Sequence, residues 1–167
     1  MTSDREAQAA RLSAITQRIG FAVWQLQELE WTTATYVVIK RHAQRGIGAD
    51  RGAELLDAAG KRTFGSLLKE LADSGILDPG VAERLNSALG ERNWLVHRSR
   101  RDNRGVLASD ERCAALVAKL ERLSNEALAL LKYIGQLIEQ HALQSGVSEG
   151  LIERESERLL VQWGILK

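Results

Sequence analysis

The sequence predicts an all-α protein, an antiparallel up-down bundle of five or six helices, and three observations carry the prediction. Apolar residues recur at intervals of three and four through most of the chain, the period that gathers one face of an α-helix. Among 167 residues there is one proline, at position 79, so little interrupts a helix. No segment alternates apolar and polar residues as a half-buried strand does.

The first helix is expected over residues 5–44, with Leu12, Ile15, Ile19, Ala22, Leu26, Leu29, Thr33 and Tyr36 on its inner face. Gly20 lies inside it, where the helix bends or another backbone approaches. Trp24, Trp31 and Val38 repeat every seven residues on nearly the opposite side. A helix apolar on two faces belongs in the middle of a bundle or at a subunit interface. Three glycines in RGIGADRG, residues 45–52, mark a loop or frayed turn. A short helix follows over 63–73, ending before Gly75, a natural left-handed cap. Asp78 as N-cap and Pro79 at the first helical position open a helix that runs to about Arg101, where RDNRG closes it. Ser109, before Asp110 and Glu111, starts a long helix with the seam Leu116, Leu120, Leu123, Ala127, Leu130, Ile134 and Leu137, stopping near Ser145 and Gly146. Ser148 caps a last, highly charged helix. One domain over 1–167 accounts for all of this, with 148–167 as a C-terminal helical extension.

Composition narrows the function. Lys plus Arg number 23 against 22 Asp plus Glu, so anions must be bound through a local cluster and not through bulk charge. The lone Cys113 excludes an intrachain disulfide framework or a multi-cysteine zinc site, and is read as a small core residue. Three histidines show no metal-ligand spacing, so neither a metal nor another cofactor is expected. His42 is read as a helix-end cation and His141 as packed on the long seam. GIGADRG follows no strand and is no phosphate loop, while ERESER reads as a solvated, salt-bridged face. The polar N-terminus and the lack of a long apolar run predict a cytoplasmic protein without a membrane partner.

The segment ALGERNWLVHRSRRDNRG, residues 88–105, concentrates the chemistry. Arg92 continues the stripe Val81, Leu85, Ala88 and Leu95, where an apolar residue is expected. A guanidinium buried there needs an anion, either a ligand or a carboxylate such as Glu91 or one on a neighbouring helix. Asn93 and His97, four apart, share another face. Histidine suits general acid-base work because its ordinary pKa lies nearest neutrality. On an ideal helix Arg92 and His97 point about 140° apart. They meet on one substrate if the helix distorts, if Arg92 swings round, or if each comes from a different subunit. Arg98, Arg100, Arg101 and Arg104, partly offset by Asp102, add a positive patch suited to a nucleic-acid backbone. A helix C-terminus explains one or two such arginines by its dipole, and four less well.

RNWLVH, Arg92 to His97, resembles the signature of the HEPN superfamily: arginine, a polar residue directly after it, and histidine four to six residues on. The stretch over residues 60–100 also resembles bacterial HEPN-like proteins, and elsewhere the resemblance rests on helical architecture. It implies a metal-independent endoribonuclease acting as a homodimer, with the two motifs facing one cleft. Arg92, Asn93 and His97 would be catalytic, Arg98, Arg100, Arg101 and Arg104 would bind RNA, and cleavage would leave a 2′,3′-cyclic phosphate and a 5′-hydroxyl. A toxin of a toxin–antitoxin or phage-defence system, with a cognate antitoxin protein, fits the resemblance. The alternative within it is a non-catalytic helical module that binds protein, nucleotide or RNA. A third reading is a helical interaction protein with Arg92 in a structural ion pair. One departure matters: HEPN toxins silenced by a nucleotidyltransferase carry tyrosine two residues after the histidine, and here that residue is Ser99.

Overall fold

The computed structural model describes residues 2–42, 47–162, 164 and 166. It is all-α: α1 (Thr2–His42), α2 (Ala49–Gly60), α3 (Phe64–Asp73), α4 (Pro79–His97), the four-residue α5 (Ser99–Asp102), a 3-10 turn (Val106–Ala108), α6 (Asp110–Gln144) and α7 (Glu149–Gln162). No strand occurs among the described residues.

The capping chemistry sets most boundaries. Thr63 accepts a hydrogen bond from Ser66 N to start α3, Asp78 accepts from Gly80 N and Val81 N to start α4, and Ser109 accepts from Arg112 N to start α6. Gly75 (φ 61°) and Gly146 (φ 88°) take the left-handed conformation just past α3 and α6, as a C-terminal cap requires. The expected end of α1 at residue 44 and the first two residues of the glycine-rich segment 45–52 lie outside the described residues. From Ala49 onward that segment is not a loop but the first turn of α2. The helix expected to run from Pro79 to Arg101 is interrupted at Arg98, whose φ of −128° leaves the helical region, and it restarts as α5.

Cross-helix pairs fix the directions. Arg11 meets Asp110 and Arg18 meets Glu121, so α1 and α6 run parallel along their length. Arg84 meets Glu126 and Glu91 meets Lys119, so α4 runs against α6. The up-down alternation of successive helices therefore closes with first and last long helices side by side and pointing the same way. Their shared interior, with α3 and α4, holds Leu29, Leu67, Leu71, Leu85, Leu120, Leu130 and Ile134, all essentially sealed from solvent. Thr33 is buried among them with its hydroxyl donating to Leu29 O at 2.7 Å, so that hydroxyl is not stranded.

Several readings of α1 change. Leu12 is exposed rather than buried, and nothing packs against Gly20. The second apolar face is divided: Val38 is buried and Trp31 lies against Gly60 of α2, but Trp24 is 67% exposed and Phe21 52%. Cys113 is buried, His141 is half-buried and His42 is exposed at the end of α1. α7 has no fully buried residue among those described and leans on the end of α6, where Ile138, Ala142, Leu151 and Leu160 line a shallow groove. No helix is long and apolar enough to cross a membrane among the described residues.

Candidate functional site

The site is built around the second half of α4. Val81, Leu85, Ala88 and Leu95 are buried toward the core, which fixes the rotation of the helix. Arg92 falls on that stripe, yet its side chain keeps 37% exposure although Leu95 beyond it is buried. The buried guanidinium expected from the stripe is thus half-open. Its anion is not Glu91 but Glu30 of α1, with Arg92 Nη2 at 3.7 Å from Glu30 Oε2. The other oxygen of Glu30 accepts from Phe64 N at 3.0 Å, at the start of α3. One carboxylate therefore holds both a free helix N-terminus and Arg92. Arg92 Nη1 also reaches Asn93 Oδ1 at 3.4 Å.

His97 is the last residue of α4 and is exposed, with no hydrogen-bond partner among the described residues. Arg92 and Asn93 are brought into contact, while His97 hydrogen-bonds to neither. The break just after His97 is held by local bonds. Arg98 N donates to Trp94 O at 2.9 Å, Ser99 Oγ donates to Leu95 O at 2.5 Å, and Asn103 Nδ2 donates to Ser99 O at 2.6 Å. Ser99, the position that departs from the silenced toxins, thereby ties α5 to α4. Trp94 Nε1 donates to Asp102 Oδ2 at 3.2 Å, fastening the turn from the other side.

The arginines divide. Arg98, Arg100 and Arg104 are exposed and paired with no carboxylate among the described residues, whereas Arg101 lies 3.3 Å from Asp102. Arg104 does not continue a patch along α5. It lines a groove of about 400 Å³ between the α5–α6 connection and α6, opposite Arg112, Lys119 and Arg122. Lys119 sits 3.5 Å above the Trp94 ring and 3.0 Å from Glu91, a cation–π contact and an ion pair that lock its position. Glu30 and the three α6 cations are absent from the sequence-based site. Positions 112, 119 and 122 share one helical face, a signal that was present but is eclipsed by the apolar seam beside it.

No known family's sequence model matches the chain, and no solved structure matches it. One stretch has a named relative. Over 54 residues the chain is 50% identical to a protein of Archaeoglobus fulgidus named "Putative RNase", a match covering 32% of this chain and 39% of that protein. The chain thus spans about two fifths of the length of the relative it matches.

No group of three or more His, Cys, Asp and Glu side chains converges among the described residues in a way that would hold a metal ion. What the site offers is one imidazole at a helix end, one partly open guanidinium, one amide and a bank of exposed arginines. That set handles phosphate: forked donors for its oxygens and an imidazole to carry a proton.

Proposed function

We propose that the protein is a metal-independent endoribonuclease of HEPN type that works as a homodimer. The observation that carries the reading is the placement of His97 at the exposed end of α4, one helical turn past Asn93 and ahead of Arg98, Arg100 and Arg104, which pair with no carboxylate among the described residues. The partial likeness to a protein named as an RNase supports the ribonuclease part. Service as a toxin or phage-defence effector, restrained by an antitoxin protein, rests on the resemblance of RNWLVH alone.

In the proposed reaction the imidazole of His97 removes the proton of a ribose 2′-hydroxyl, and the 2′-oxygen attacks the adjacent phosphorus. The bond from phosphorus to the 5′-oxygen breaks, and that oxygen takes a proton from the His97 of the second subunit. Products are a 2′,3′-cyclic phosphate and a 5′-hydroxyl. Arg92 meets the charge that builds on the phosphorane oxygens, with Glu30 holding the guanidinium in place and Asn93 orienting it. Arg98, Arg100, Arg101 and Arg104 contribute attraction for the RNA backbone.

The test compares wild type, Arg92→Ala and His97→Ala on single-stranded RNA in the presence of a chelator. Wild type is expected to yield cyclic phosphate ends, and each variant to fall by about 10²-fold or more. No cleavage by wild type, or equal cleavage by all three, overturns the reading. The ion pair of Arg92 with Glu30 favours another reading, a helical interaction protein in which that pair is structural. In that case none of the three proteins cuts RNA.

A further inference from the structure

We propose that the face of α6 bearing Arg112, Lys119 and Arg122, together with Arg104, is the track on which the RNA backbone lies. The inference takes its ligand from the proposed ribonuclease function but rests on three α6 residues outside that site, with Arg104 shared. Four cations and one carboxylate, Asp102, line the groove. Asp102 is itself engaged by Trp94 Nε1 and by Arg101, and Lys119 pairs with Glu91, so the charge left to face the groove is that of the three arginines. Arg104, Arg112 and Arg122 pair with no carboxylate among the described residues.

Geometry favours a phosphate chain as occupant. Ten residues separate Arg112 from Arg122, about 15 Å along a helix. A stacked strand carries one charge every 3.4 Å or so, giving roughly four phosphates over that length. Three of the four cations are arginines, whose forked donors match phosphate oxygens in pairs. The apolar lining is slight, Val106, Ala115 and the buried Leu116, leaving little for the side chains of a peptide to grip.

The groove is also polar along its length. Past Lys119 and Arg122 its continuation toward Ser87 and Ala88 is lined by Glu91, which pairs with Lys119, and by Glu126, which Arg84 holds through two bonds of 2.7 and 3.1 Å. A polyanion is therefore held at the end nearest α5, the end that follows His97 in the chain.

The experiment measures binding of a labelled single-stranded oligoribonucleotide to His97→Ala protein, with and without Arg112→Gln and Arg122→Gln, as salt is varied. Both substituted positions are exposed on a helix, so the fold survives. The double substitution is expected to weaken binding about tenfold and to lower the slope of log affinity against log salt by about 1.4. In the otherwise wild-type chain the same pair should raise KM while leaving kcat unchanged. Unaltered affinity and slope overturn the track even if RNA is cleaved. Loss of binding in a protein whose wild type cuts no RNA supports the track and sinks the catalytic reading. Polyglutamate competing as well as RNA makes the occupant an acidic peptide and overturns the proposal.

Discussion

Arg92 shows how far a single residue could be read from sequence. Its place on the apolar stripe was legible, because Val81, Leu85, Ala88 and Leu95 define the buried face by spacing alone. Its half-open state was not, since that depends on how neighbouring helices cover the position, which spacing along one helix does not give. The distinction has a measurable side. A fully buried pair broken by truncation costs about 3–5 kcal/mol, but an exposed one rarely more than about 1 kcal/mol. Arg92→Ala should therefore lower stability by no more than about 1 kcal/mol in urea unfolding, whatever it does to activity. Glu30→Gln keeps an acceptor for Phe64 N and removes the charge facing Arg92. In that variant the fold should hold while RNA cleavage falls several-fold.

A second residue-scale prediction concerns acid. Arg11 donates to Asp110 at 2.6 Å and to Leu107 O at 2.7 Å, and this bond holds the Asp110 carboxyl below the ordinary carboxylate range. A carboxyl more acidic in the folded than in the unfolded chain stabilises the fold above its unfolded pKa, near 4, and stops doing so as pH falls through its folded value. Urea midpoints of wild type and Asp110→Asn should thus differ at neutral pH and converge in strong acid. A constant gap across that range would show that the carboxylate is not the source.

Among the elements, helices with capping residues were legible at their starts to within a residue: Asp78 and Ser109 stand at the N-caps that their side chains imply, and Thr63, read as the first residue of its helix, is its N-cap. α2 was hidden by its glycines, which read as breakers although Leu55, Leu56 and Ala59 pack against the core. The interruption at Arg98 was hidden for the opposite reason. No glycine or proline marks it, and it is made by side chains of Trp94, Ser99 and Asn103 reaching back to their neighbours. The turn that follows depends on Gly105 in a left-handed conformation. Gly105→Ala should lower stability by about 1 kcal/mol through backbone strain alone, visible as a shift in the urea midpoint.

At the scale of the molecule, the all-α bundle was predicted by period and composition, while the pairing of α1 with α6 was not, because helix spacing carries no information about which faces meet. Leu120 and Ile134 sit at the centre of that pairing, fully buried. Truncation of either to alanine should cost about 2–5 kcal/mol, well above any change on the outer faces. The candidate cleft makes its own prediction at this scale. If two His97 residues share one cleft, excess His97→Ala protein added to wild type should form mixed dimers and suppress RNA cleavage. Activity that stays proportional to the wild-type chain would mean that each chain works alone.

Trp31 and Gly60 touch so closely that a Cβ on Gly60 would come within 2.6 Å of the indole ring. The indole is only half covered, so its surroundings are set largely by whether α2 is seated. That makes Trp31 an optical gauge of one helix. Gly60→Ala should prise the ring outward and redden its emission, and the effect should vanish in a chain lacking Trp31. With Trp24, Trp94 and Trp163 replaced by phenylalanine, the emission of the one remaining ring reports whether the hidden helix is seated.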